Sequence, residues 1–217
     1  MRSIIFANGE FQTPIQPVEI QKEDLVIAAD GGSRHCLSLD IKPAVLIGDL
    51  DSIDQELLKD WQKTGVEIIQ HPEDKNETDL ELALLLAQER GAKEILVYGA
   101  VGGRLDMTLG NLIMLAHPRL IPQITLICGN EEVHLLHAKE SLSLSGKPGE
   151  IVSLIPMKPG TSIVSTNGLL YPLNNDALKF GYTRGISNQL VKKQATINLD
   201  FGLLVIIHTR KSPQEDL

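Results

Sequence analysis

Along the first 130 residues, short apolar runs alternate with amphipathic stretches. The runs at residues 3–7, 25–29, 44–47, 66–69, 94–98 and 123–127 predict strands. They are apolar almost throughout rather than at every second position, which suits strands covered on both faces, as in a parallel sheet. Helices are predicted between them. In DSIDQELLKDWQKTG (51–65), Ser52 and Gln55 fit a capping box, Leu57, Leu58 and Trp61 share a face, and Gly65 supplies the stop. In NETDLELALLLAQERG (76–91), Thr78 and Glu81 make a second capping box and Gly91 ends the helix. In GGRLDMTLGNLIMLA (102–116), Asp106 is placed to cap a third, with Leu109, Leu112, Ile113 and Ala116 expected to face the core.

After Asn130 the period changes to two, and the runs are cut by turns at SGKPG, MKPG and TNG. Residues 191–199 and 203–208 continue that alternation. The expected fold class is therefore an N-terminal parallel-sheet α/β domain, residues 1–130, followed by a smaller all-β sandwich domain, residues 131–217. The closing RKSPQEDL reads as a frayed tail.

Composition narrows the function classes. A formal net charge of -8 argues against broad binding of nucleic acid or of an acidic membrane surface. No segment approaches the roughly 18 apolar residues that a membrane span needs, and the apolar run near the N-terminus is too short for a signal peptide. The two cysteines, Cys36 and Cys128, are expected as buried thiols, and the cytoplasm is the expected location.

Ligands of an open parallel sheet gather at the carboxyl ends of its strands, and those ends here carry acids and glycines. One closes with Asp30-Gly31-Gly32, another with Gly48-Asp49-Leu50-Asp51-Ser52, and a third runs through Gly102-Gly103-Arg104 to Asp106. Two carboxylates about 5 Å apart at an effective dielectric near 20 repel by roughly 3 kcal/mol, so Asp49 and Asp51 call for solvation or a cation. Carboxylates at i and i+2 on a strand end can converge on one ion, and Mg²⁺ takes such hard oxygen ligands together with phosphate. Glycine pairs let backbone N–H groups approach an anion, and Lys75 and Arg104 are cations in the same loops. Blander roles stay open: Ser52, Asp54 and Asp106 as helix-start residues, Asp30 in a turn, Lys75 as a solvated lysine. Neither a P-loop nor a dinucleotide-binding glycine fingerprint occurs.

In the second half, GLLYPL (168–173) and TRGISN (183–188) read either as strand-end turns or as a ligand surface. Tyr171 is one of few aromatic residues, and Ser187 and Asn188 offer hydrogen-bonding groups suited to a heteroaromatic edge. His71, His117, His134, His137 and His208 show no ligand spacing and are expected on the surface or in packing.

With AADGGSRH, IGDLDSI, HPEDKNETDLELAL, VYGAVGGRLDMTLGNL, GLLYPL and RGISN in this order between residues 28 and 188, the chain resembles the thiamine pyrophosphokinases. The resemblance implies transfer of a diphosphate from ATP to the hydroxyethyl group of thiamine, with AMP released and Mg²⁺ as cofactor. It implies metal and phosphate roles for Asp49, Asp51 and Asp79, and triphosphate-binding roles for Lys75 and Arg104. Asp30, Gly31, Gly32, Ser52, Thr78, Gly102, Gly103, Asp106 and Asn111 fall on the ATP side, and Tyr171, Ser187 and Asn188 on the thiamine side. It further implies a homodimer with sites at the subunit interface. One departure is Met107, where the family pattern GGRxDH places a histidine. Two rival readings use the same acids: another Mg²⁺-dependent phosphate-transfer or hydrolytic enzyme acting on a nucleotide, and a non-catalytic nucleotide- or thiamine-binding regulator.

Overall fold

Each of the six apolar runs before residue 130 forms a strand in the computed structural model, which describes residues 1–51 and 53–212. They are β1 (Arg2–Phe6), β2 (Leu25–Ala29), β3 (Val45–Gly48), β4 (Glu67–Gln70), β5 (Glu94–Tyr98) and β6 (Gln123–Cys128). All pair in parallel, in the order β6-β5-β1-β2-β3-β4. Consecutive residues of β1 and β2, such as Ile4, Ile5, Phe6, Ile27 and Ala28, are fully buried, so both faces of the sheet's centre are covered. That burial is why the strands read as continuous apolar runs. The order also fixes a topological switch point: from β1 the chain builds outward through β2, β3 and β4, then returns to place β5 against β1's other edge. A crevice opens beyond the carboxyl ends of such a pair.

Helices α1 (Ser33–Ser38), α2 (Gln55–Lys63), α3 (Asp79–Glu89) and α4 (Leu105–Met114) lie between the strands. Thr78 caps α3 as expected, its hydroxyl accepting from the Glu81 N–H at 3.2 Å. At α2 the cap is Asp54, whose carboxylate accepts from the Glu56 and Leu57 N–H groups at 2.7 and 3.2 Å. Ser52, expected in a capping box there, lies outside the described residues, as do the last five residues of the tail. Helix α4 departs most from expectation. It starts after Arg104 without a side-chain cap, and Asp106 sits inside its first turn. Leu109 and Ile113, expected in the core, are 51% and 62% exposed, while Asn111 and Leu115 are buried. Asn111 is held inward by a bond from its Nδ2 to the Ala100 carbonyl at 2.6 Å. A buried polar group that finds its partner outweighs the apolar periodicity in setting the helix's rotation.

The chain divides into two compact units, residues 1–129 and residues from Asn130 onward. The second unit consists of β7 (Glu131–His137), β8 (Glu140–Ser145), β9 (Ile151–Pro156), β10 (Thr161–Asn167), β11 (Asp176–Lys179), β12 (Asn188–Gln189), β13 (Gln194–Phe201) and β14 (Leu203–Thr209). All their pairings are antiparallel, running β12-β9-β14-β7 on one side and β11-β10-β13-β8 on the other. Leu154, Leu204 and Ile206 from the first group pack with Leu144, Val164, Ile197 and Leu199 from the second to form a sandwich core.

A polar pair is enclosed in this second unit. His208 is fully buried, and its Nε2 lies 2.8 Å from Oε2 of the buried Glu150. Burial lowers the His208 pKa from 6.5, with Glu150 opposing and the nearby Arg210 assisting that shift. Burial works against the charge of Glu132, opposite His208 on β7, yet His134 and Arg210 hold its pKa at about 2. For His208 the folded value lies below the unfolded one, so the unfolded chain binds a proton more readily. Stability from this histidine is complete above its unfolded pKa and is lost as the pH falls below it. Thermal melts followed by circular dichroism are therefore expected to drop between about pH 7 and pH 5. His208→Gln, although less stable at neutral pH, should show a shallower decline.

Candidate active site

Asp30 begins a short 3-10 turn directly after β2, with a left-handed φ of 45° that a non-glycine residue seldom adopts. Its carboxylate is buried. Asp49 follows β3, and Asp79 opens α3. Asp30, Asp49 and Asp79 each bring an oxygen to within 4.8 Å of the others. Lys75, from the loop after β4, stands among them, its Nζ 3.0 Å from Asp79 Oδ1 and 3.7 Å from Asp49 Oδ2. Burial opposes the lysine's charge, but Asp79 and Asp49 outweigh it and raise its pKa.

Asp49 and Asp51 lie side by side at the strand end, with Asp51 the more exposed of the two. Leu50 between them is buried with φ 64°, so the chain turns and leaves Asp51 exposed. Asp51 stays near enough for Asp49 to raise its pKa by repulsion, and its N–H donates to Asp49 Oδ1 at 3.3 Å. Asp30 takes the third place in the cluster.

At the β1/β5 switch point lies a cavity of about 650 Å³, within the range of roughly 300–1,000 Å³ common for small-molecule sites. Of the expected residues, Lys75, Thr78, Asp79, Gly102, Gly103, Arg104 and Asn111 line it, as does Met107. Gly103 has φ 73° with open space where a Cβ would stand, leaving its backbone accessible to a ligand. Arg104, with its side chain 74% exposed, forks onto Asp106 at 3.1 and 2.6 Å, which raises the arginine's pKa and lowers the aspartate's. Asp106 thus pairs with Arg104 instead of capping α4. Gly31 and Gly32 stand in close contact: a Cβ on Gly32 would lie 1.9 Å from the Phe6 carbonyl oxygen, and one on Gly31 would strike Asn8.

In the second unit, Asn188 is tied to the backbone. Its Oδ1 accepts from the N–H groups of Tyr171 and Gln189 at 3.0 and 2.9 Å, and its Nδ2 donates to the Tyr171 carbonyl at 2.7 Å. These three bonds fix the Tyr171 turn. Tyr171 itself is 65% exposed, and the neighbouring Ser187 holds φ 61° while its N–H donates to Ser153 Oγ at 3.1 Å.

Sequence reasoning misses Asn8, Gly9, Glu10 and Arg34, all of which line the cavity. The stretch after β1 carries no motif; only its place after the central strand marks it. Buried His35, though inside AADGGSRH, is not singled out by the sequence: its Nε2 lies 2.9 Å from the Gly9 carbonyl, and burial lowers its pKa.

Lys75 is the charge that makes the acid cluster tolerable. Lys75→Met is expected to lower stability in EDTA by about 1–2 kcal/mol, and adding Asp79→Asn to it should restore part of the loss. Calorimetric melts of the single and double variants measure both effects.

Comparison with known proteins agrees with this architecture. The family model described as "Thiamin pyrophosphokinase, catalytic domain" matches residues 17–127, and that described as "Thiamin pyrophosphokinase, vitamin B1 binding domain" matches residues 133–204. The chain is 30% identical over 186 residues to the thiamine pyrophosphokinase of Bacillus subtilis (strain 168), covering 85% of this chain and 87% of that one. It is 32% identical over 181 residues to thiamine pyrophosphokinase 1 of Arabidopsis thaliana, covering 79% and 67% respectively. The crystal structure of the Bacillus subtilis thiamine pyrophosphokinase superposes with a TM-score of 0.85 at 27% identity, over 97% of this chain and all of that one. That of the Geobacillus thermodenitrificans thiamin pyrophosphokinase gives 0.83 at 25% identity, over 98% and 99%.

Proposed function

The chain belongs to the thiamine pyrophosphokinase family, and from that premise we propose how its own residues move a diphosphate from ATP to the hydroxyl of thiamine. The observation that carries the assignment is the Asp30–Asp49–Asp79 cluster with Lys75 among its acids, where Lys75 and Asp79 also line the switch-point cavity.

In the reaction, the thiamine alcohol oxygen forms a bond to the β-phosphorus of ATP. The bond from that phosphorus to the oxygen bridging to the α-phosphate breaks, and AMP leaves with that oxygen. Such a transfer depends on positioning and charge neutralisation more than on covalent help. Lys75 and Arg104 bind the phosphate oxygens and stabilise charge on the transferring group and on departing AMP. Asp30, Asp49 and Asp79 would hold Mg²⁺, since clustered carboxylate oxygens are the donors this ion takes. When bound, the ion would neutralise phosphate charge. To Asp51, exposed beside the cluster, we assign the alcohol proton.

Thiamine recognition is assigned to the second unit. The exposed Tyr171 ring offers its face to the cationic thiazolium, worth about 0.5–2 kcal/mol, Ser187 contacts the pyrimidine, and Asn188 fixes the turn that carries Tyr171. A homodimer is supported by the stripe of Leu105, Leu109 and Ile113 along α4, exposed by 72%, 51% and 62%. The cytoplasm is the proposed location, in keeping with two buried cysteines that are not in a disulfide. Among the described residues no helix is long and apolar enough to cross a membrane.

With ATP, Mg²⁺ and thiamine, the expected nucleotide product is AMP; ADP in its place would refute diphosphate transfer. Asp49→Asn and Asp79→Asn should abolish turnover. Lys75→Ala and Arg104→Ala should raise the KM for ATP and leave thiamine affinity without ATP unchanged.

The dimer is tested by sedimentation of the native protein and of the Leu109→Glu, Ile113→Glu double variant, which should run as a monomer. If the sites are shared between subunits, mixing inactive Asp49→Asn with inactive Ser187→Ala, Asn188→Ala under exchange conditions should restore some activity. Verified heterodimers that stay inactive would confine each site to one chain.

A further inference from the structure

Asn8 belongs to none of the stretches that carry the family resemblance, yet it stands at the centre of the proposed chemistry. It follows β1 by two residues, at the switch point, and lines the same cavity as Lys75 and Asp79. Its Nδ2 donates to Asp30 Oδ2 at 3.0 Å. Only the NH₂ end of an amide can face a carboxylate, so the chemistry fixes which way this side chain points. Its backbone carbonyl accepts from Arg34 Nη2 at 2.6 Å, and the N–H of the next residue, Gly9, donates to the Gly99 carbonyl at 2.8 Å. The Asn8 side chain therefore projects from a backbone tied down at two points, with its amide directed at Asp30.

Gly31 supplies independent support. Its backbone has no left-handed φ, so an alanine there would meet no conformational penalty. The obstacle is the Asn8 amide: a Cβ on Gly31 would lie 2.1, 2.5 and 2.9 Å from Asn8 Oδ1, Cγ and Nδ2, its three nearest atoms. The glycine after Asp30 leaves room for the asparagine that holds Asp30.

We infer that Asn8 is a positioning residue for the metal-binding acids. By donating to Oδ2 of Asp30 it keeps that carboxylate turned toward Asp49 and Asp79, against the repulsion that would swing it away. This inference rests on the proposed reading of the cluster as a divalent-cation site.

The test is calorimetric titration of Mn²⁺ into the full-length protein without nucleotide, for the wild type, Asn8→Ala, Gly31→Ala and the double variant. Asn8→Ala is expected to weaken Mn²⁺ binding about 10-fold or more, with the KM for thiamine and the melting midpoint in EDTA close to wild type. Gly31→Ala should weaken it too, by displacing the amide. The double variant should be no worse than Asn8→Ala alone, since the added methyl then enters the space the amide has left. Wild-type Mn²⁺ affinity in Asn8→Ala would overturn the inference and leave the cation site standing. Additive losses in the double variant would also overturn it, as would a melting loss in EDTA accompanied by a higher KM for thiamine, the mark of a general structural role. A wild-type protein that binds no Mn²⁺ would refute the cation site and this inference together.

Discussion

Holding Asp30, Asp49 and Asp79 within 4.8 Å of one another against their mutual repulsion is the constraint around which the first unit is arranged. Each acid is attached to a different strand end or helix start, so none can relax without disturbing a larger element. Asp30 is fixed by a buried left-handed turn and by Asn8, Asp49 by the β3 end and the buried Leu50, and Asp79 by the capped start of α3. Lys75 then supplies positive charge at 3.0 and 3.7 Å. A site prepared in this way presents a fixed field to a polyanionic ligand, and ordering it costs little at the moment of reaction.

The architecture was legible where burial is simple. Strands covered on both faces must be apolar throughout, and all six appeared within a residue or so of their positions. The site was legible as a set of loops but not as a set of contacts. Spacing along a chain placed Asp51 beside Asp49 but carried no information about its exposure, which follows from the turn made by a left-handed Leu50. On helix α4 the periodicity put Leu109 and Ile113 inward, where they are exposed, because it cannot register one hydrogen bond from Asn111 to Ala100. Asn188 and Asn8 show the same gap. An asparagine that ends on backbone or on a neighbouring acid looks in sequence like one that meets a ligand.

The two units differ in what they present at their surfaces. In the first, charges are placed on strand ends and a helix start. In the second, an antiparallel sandwich with a closed apolar core carries exposed rings on turns, and a buried amide fixes the turn bearing Tyr171. Phosphate has little shape to read beyond charge and tetrahedral geometry, whereas an aromatic cation offers a face and an edge.

The position of β1 bears on how the protein is made. Residues 2–6 lie at the middle of the parallel sheet, pairing with Leu25–Ala28 on one side and Glu94–Tyr98 on the other. During synthesis at about 5–20 residues per second, the first partner follows soon after β1, while the second is completed only several seconds later. Through that interval a strand of Ile4, Ile5 and Phe6 waits with one unpaired edge, exposed to any other nascent strand. The edge completed last therefore lies two residues from Asn8, which bonds Asp30 of the acid cluster.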